Sequence, residues 1–91
     1  DEPALAAALT RLAEIDPDDA PSRKKLAEMA IRGENYEDAV RWARRSLEID
    51  VYDPRTHRIL GQALLELGQA EQSVAEYQSA VELAPQDPSL R

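Results

Sequence analysis

Five sets of positions in this chain recur at an interval of 34 residues. Pro17, Val51 and Pro85 form one set, Ile15, Ile49 and Leu83 a second, and Glu14, Glu48 and Glu82 a third. Leu9, Ala43 and Tyr77 make the fourth, and Leu5, Ala39 and Ser73 the fifth. A pattern that returns at one fixed period describes a stack of similar units, each burying its apolar face against the next.

Within each unit the apolar spacing is helical. In the stretch from Pro54 to Asp87, Leu60, Leu64, Leu65 and Leu67 fall on one helix, and Val74, Tyr77, Val81 and Leu83 on the next. Gly68 between them can take the left-handed conformation that ends a helix, and Pro85 blocks continuation of the second. Gly61, beside Leu60, lets a neighbouring helix approach its backbone. Upstream, Asp1 or Glu2 can cap a first helix with Pro3 in its first turn, running through Leu5, Leu9, Leu12 and Ile15. A second helix is expected from between Asp19 and Ser22 to near Gly33, using Leu26, Ala27, Met29, Ala30 and Ile31. Asn35 caps a third, with Asp38 placed to reach back in a capping box. Asp53-Pro54 opens the fourth, and the fifth runs from about Ala70 to Ala84. Short connections force antiparallel neighbours, so the expected fold is all-α, a right-handed solenoid of antiparallel helix pairs with five helices.

The spacing His57-x-x-Leu60-Gly61-x-x-Leu64, followed by Ser73-x-x-x-Tyr77, Ala80 and Pro85, resembles the tetratricopeptide repeat. Its period is 34 residues, and the resemblance covers essentially the whole chain. In that register residues 1–19 are the second helix of an incomplete repeat, 20–53 and 54–87 are full repeats, and 88–91 begin a further one. The middle repeat departs from the family pattern. Arg23 stands at the first aromatic position, Ala27 at the glycine, Ala30 at the second aromatic, Ser46 at the later small position and Val51 at the proline. Tyr36 and Ala39 match. Without a proline there, the third helix is expected to run on toward Tyr52.

The resemblance implies a protein-interaction module whose first helices line a groove for an extended peptide, within a longer polypeptide. Carried over, the groove-facing positions are Lys24, Glu28, Ile31 and Arg32, then Arg55, Arg58, Gln62, Leu65 and Glu66. Lys24, Arg55 and Arg58 lie near helix starts, where the helix dipole adds to their charge, which suits a carboxylate or an acidic peptide. The competing reading pairs them with Glu28 or Asp53 as ordinary surface charge. One subset of the family grips chaperone tails with Lys followed four residues later by Asn. Here Lys24 is followed by Glu28, and Ile59 stands where a second Asn is expected, so that clamp is not implied.

Nothing in the pattern calls for catalysis, a metal or a cofactor. His57 is the single histidine and there is no cysteine, which leaves no thiolate or imidazole cluster and places His57 in a packing role. Asp16, Asp18 and Asp19 form an acidic turn that Pro17 interrupts, without the spacing of a calcium loop. Gly33, Gly61 and Gly68 are not spaced to cradle a phosphate. A net charge of -7 argues against nucleic acid and anionic membranes as partners. Arg41, Arg44 and Arg45 around Trp42 would suit nucleic acid, but Glu37, Asp38 and Glu48 flank them at pairing distance along a helix. The longest apolar run, Ala4 to Leu9, is far short of a bilayer span, and no signal peptide opens the chain. The partner is expected to be a protein, a peptide or a neighbouring domain of the same chain. The alternative is a structural role, as a spacer or through self-association of the end helices.

Overall fold

The computed structural model describes residues 2–87 and consists there of five α-helices: α1 (Glu2–Ile15), α2 (Ala20–Arg32), α3 (Tyr36–Ile49), α4 (Pro54–Glu66) and α5 (Ala70–Leu83). No strand occurs among the described residues. The expected start of a further unit at 88–91, and Asp1 as a cap, lie outside them. Each helix packs on the next in sequence, and α2 also touches α4, whereas the backbones of α1, α3 and α5 stay apart from one another. The chain is therefore an α-solenoid with α2 and α4 on its inner side and α1, α3 and α5 on its outer side.

Caps set the starts of the inner helices. Asp53 accepts from the backbone N–H groups of Arg55 and Thr56, and Asp19 accepts from that of Ser22. Pro21 and Pro54 occupy first-turn positions, where a missing N–H leaves nothing unsatisfied. The capping box expected at Asn35 does not form. The Asn35 side chain donates to the Asp38 carboxylate at 2.8 Å and bonds no backbone N–H, so two side chains satisfy each other beside the cap. Helix α3 also stops at Ile49 rather than running on toward Tyr52. Asp50 accepts from the Tyr52 N–H, and this local turn takes over from the helix without help from a proline.

The two inner-to-outer turns place different residue types in the left-handed conformation. Gly68 closes α4 at φ +82, the left-handed conformation. One period earlier the same conformation falls on Glu34 (φ +59), while the adjacent Gly33 stays at φ −84. A non-glycine residue there carries roughly 1–2 kcal/mol of steric strain. Glu34→Gly is therefore expected to raise stability by about 0.5–1 kcal/mol after the greater freedom of glycine in the unfolded chain is subtracted. Urea melts of the two proteins check it.

The core is aliphatic and small: Leu26, Ala27, Ala43, Ile59, Leu60 and Leu64 cluster with Ala13 and Trp42. Trp42 is buried, with the Arg41 and Arg45 guanidinium groups 5.1 Å and 5.4 Å from its ring centre. On α1 the buried residue is Ala13, with Ala6 and Leu9 packed beside it, and Leu5, Leu12 and Ile15 are exposed. Helix α5 turns Ser73 and Ala80 inward and leaves Val74 and Leu83 exposed, the reverse of what apolar spacing alone suggests.

The departures of the middle repeat have physical compensations. Arg23 donates to three carbonyls, Ala13, Asp16 and Asp19, and so satisfies the C-terminal end of α1 and the turn after it. His57 has the equivalent role in the next repeat. Its Nε2 lies 2.7 Å from the Val51 carbonyl and its Nδ1 3.1 Å from Glu76, tying α4 to the preceding turn and to α5. Ala27 and Ala43 stand where the last repeat has Gly61 and Tyr77, so a methyl group on α2 is matched by a smaller residue on α3.

Candidate functional site: the inner face of α2 and α4

Helices α2 and α4 carry Arg23, Lys24, Lys25, Arg32, Arg55 and Arg58 against two carboxylates, Glu28 and Glu66. The outer helix α5 holds Glu71, Glu76 and Glu82 with no Lys or Arg. In an acidic protein, α2 and α4 thus carry more cations than carboxylates. Where α2 meets α4 there is a cleft of about 250 Å³ lined by Glu28, Ile31, Arg32, Arg55, Arg58 and Ile59. Five of these are groove positions expected from the sequence. Ile59 is an addition; it is buried at the cleft's base, and only the helix crossing reveals it.

The guanidinium groups differ in their engagements. Arg32 reaches Glu2 of α1 at 3.8 Å. Neither Arg55 nor Arg58 has a carboxylate within 4.0 Å among the described residues. Arg58 also acts on Tyr77 of α5. Burial raises the Tyr77 phenol above the usual tyrosine value, with Arg58 pulling down and Glu66 pushing up. Burial raises Tyr36 as well, helped by Glu66 and Glu34. The inner face of α4 therefore runs from Arg55 and Arg58 at one end to Glu66 at the other. Gln62 and Leu65 lie between, outside the cleft, with Leu65 exposed to 53%.

Lys24 is spent elsewhere. Its Nζ lies 2.9 Å from Asp53, the cap of α4, which joins the two repeats across the groove end. Partial burial would raise the Asp53 pKa, but hydrogen bonds from Lys24 and Thr56 outweigh it and hold the carboxylate below its ordinary value of 3.8. A carboxylate depressed on folding stabilises the folded state above the unfolded pKa, and that contribution is lost as pH falls through the folded one. The contribution of Asp53 to stability is thus expected to decline below about pH 4, and Asp53→Asn should flatten that loss. Asp53→Asn also keeps a capping oxygen while dropping the ion pair, costing about 1 kcal/mol at neutral pH. Circular dichroism melts across pH 2–7 test both.

The remaining polar clusters have structural occupations. Asp19 caps α2, and Asp16 accepts from the Asp18 N–H. No group of three His, Cys, Asp or Glu among the described residues could hold a metal ion. Arg41 pairs with Asp38 at 3.3 Å and Arg44 donates to Gln72, while Arg45 lies over Trp42. No helix among the described residues is long and apolar enough to cross a membrane.

Compared with known families, residues 59–87 match the family described as Tetratricopeptide repeat. No curated protein matches the chain. The matched stretch begins at Ile59 in α4 and ends just after α5, so it holds most of the last helix pair.

Proposed function

We propose, on the premise that residues 59–87 match the tetratricopeptide repeat family, that the chain is an interaction module whose inner groove takes an extended acidic peptide. Repeats of this family generally mediate protein–protein contacts, and the family is typically a non-catalytic scaffold. The reading rests on one observation. Arg55 and Arg58 stand without a carboxylate partner beside an aliphatic base of Ile31 and Ile59. A guanidinium presents paired N–H donors that match a carboxylate, and such charge-assisted bonds are about twice as strong as neutral ones. The ligand this favours has an Asp, a Glu or a terminal carboxylate next to a branched aliphatic side chain. Glu28, near Lys25 at 4.0 Å, disfavours a second acidic group at the α2 wall. Under this proposal residues 20–53 and 54–87 act as two units that share the groove.

Calorimetric titration with the capped peptide acetyl-Ala-Ile-Glu-Ala-amide tests the proposal. Arg58→Glu is expected to weaken binding at least tenfold, roughly the loss of one charge-assisted contact. Lys24→Ala should leave affinity within about twofold and lower stability instead, because Lys24 serves Asp53. Equal binding by wild type and Arg58→Glu would remove the groove from the account.

A further inference from the structure

Helix α4 carries its charges in the order that works against its own dipole. The positive N-terminal end of a helix favours carboxylates, and the negative C-terminal end favours cations. Each other helix follows this at one end. Glu2, Glu37 with Asp38, and Glu71 lie in the first turns of α1, α3 and α5, and Arg32 lies in the last turn of α2. Helix α4 has no acid in its first turn and no base in its last. Instead Arg55 stands in the first turn, Arg58 follows in the next, and Glu66 is the last residue. The cap Asp53 is acidic, but Lys24 at 2.9 Å takes up that charge.

These side chains share one stripe. Around the helix axis Arg55, Gln62 and Glu66 fall within about 40° of one another, with Arg58 about 60° from Arg55. Glu66, like Arg55 and Arg58, has no opposite charge within 4.0 Å among the described residues. Burial is the main cause of the raised Tyr36 and Tyr77 phenols, and Glu66 adds to both, so its field reaches α3 and α5 alike. An order of charge that costs helix stability, left unpaired on the inner face, is the kind of local conflict that marks a binding surface. Along the axis Glu66 lies about 12 Å from Arg58 and about 16 Å from Arg55. An extended peptide covers that span in about four or five residues. We infer that, within the groove proposed above, α4 docks an extended peptide carrying a basic residue four or five positions from its acidic one. The acid meets Arg55 and Arg58, the base meets Glu66, and Gln62 between them can bond the peptide backbone.

Calorimetric titration of the whole chain with two isomeric peptides tests this. They are acetyl-Ala-Ile-Glu-Thr-Thr-Thr-Lys-Ala-amide and acetyl-Ala-Ile-Glu-Lys-Thr-Thr-Thr-Ala-amide. Equal composition cancels the general attraction of an acidic protein for lysine, and threonine disfavours helix in both. The first isomer should bind about threefold to fivefold more tightly, the scale of one exposed ion pair. Glu66→Gln should erase that difference and raise the melting temperature, because a carboxylate leaves the C-terminal end of α4. Three results would each overturn the inference: equal binding of the isomers by wild type, a preference that survives Glu66→Gln, or a lowered melting temperature in that variant. With acetyl-Ala-Ile-Glu-Ala-amide still bound by wild type, any of these leaves the acidic-peptide groove standing. Loss of all three peptides would remove the groove, and the base-reading end with it.

Discussion

Gly61→Val is expected to lower stability by about 3 kcal/mol, the upper end of the range for an overpacked site. A Cβ on Gly61 would sit 3.1 Å from Tyr77 Cδ2, 3.2 Å from Tyr77 Cε2 and 3.3 Å from the Ser73 carbonyl. The Ser73 hydroxyl donates to the Gly61 carbonyl at 2.7 Å, so α5 is bound to α4 at that point and cannot slide away. A single methyl is a closer contest. Alanine gains about 1 kcal/mol of helix propensity over glycine, which offsets a few tenths of an ångström of displacement, so Gly61→Ala should be near neutral. The branched Val has two further methyls and no such balance. For a domain of this size the loss corresponds to a fall of roughly 12–24 °C in melting temperature. In a Tyr77→Ala background Gly61→Val should cost much less, because the ring is the main obstacle; a double-mutant cycle reads the coupling.

Leu64→Ala should cost about 2–5 kcal/mol, from lost transfer energy and the cavity left behind. Leu64 is 2% exposed and packs in the cluster with Leu26, Leu60 and Ile59. Total stability for a domain this small is only about 5–14 kcal/mol, so the variant should lose a large share of it. The matching position of the middle repeat is already Ala30, beside an open cleft. The pair therefore makes a matched experiment: Leu64→Ala destabilises and Ala30→Leu stabilises, at positions 34 residues apart. Denaturant midpoints at unchanged m-values decide it.

Much of the fold was legible because the period carries it. The 34-residue interval aligned the three outer helices, and local chemistry placed the ends: Asp53-Pro54 begins α4, and Gly68 at φ +82 follows its end. What remained hidden depends on contacts between residues distant in sequence. Arg23 looked like a lost aromatic and is a cap for the end of α1; its partners are set by the helix crossing. Lys24 read from the sequence either as a groove cation or as a partner of Glu28 or Asp53, and only the structure decides for Asp53 of the next repeat. Asn35 and Asp38 have the sequence of a capping box, yet the spacing fixes neither side-chain rotamer, and the two bonded each other. Glu34 was missed because Gly33 beside it is the residue that composition favours for a left-handed turn. On the inner face, the family resemblance implied Glu28, Ile31, Arg32, Arg55 and Arg58, which meet in one cleft. Gln62, Leu65 and Glu66 share the helix but stand beyond that cleft.

The central claim is that Arg55 and Arg58 give the inner groove its ligand preference. An amide-shift titration by NMR tests it most directly, with acetyl-Ala-Ile-Glu-Ala-amide compared against acetyl-Ala-Ile-Lys-Ala-amide. Saturable shifts at Ile31, Arg32, Arg55, Arg58 and Ile59 with the acidic peptide alone, weakening as salt rises, are the expected result. Unmoved amides at those positions, or equal shifts with the lysine peptide, would contradict the claim.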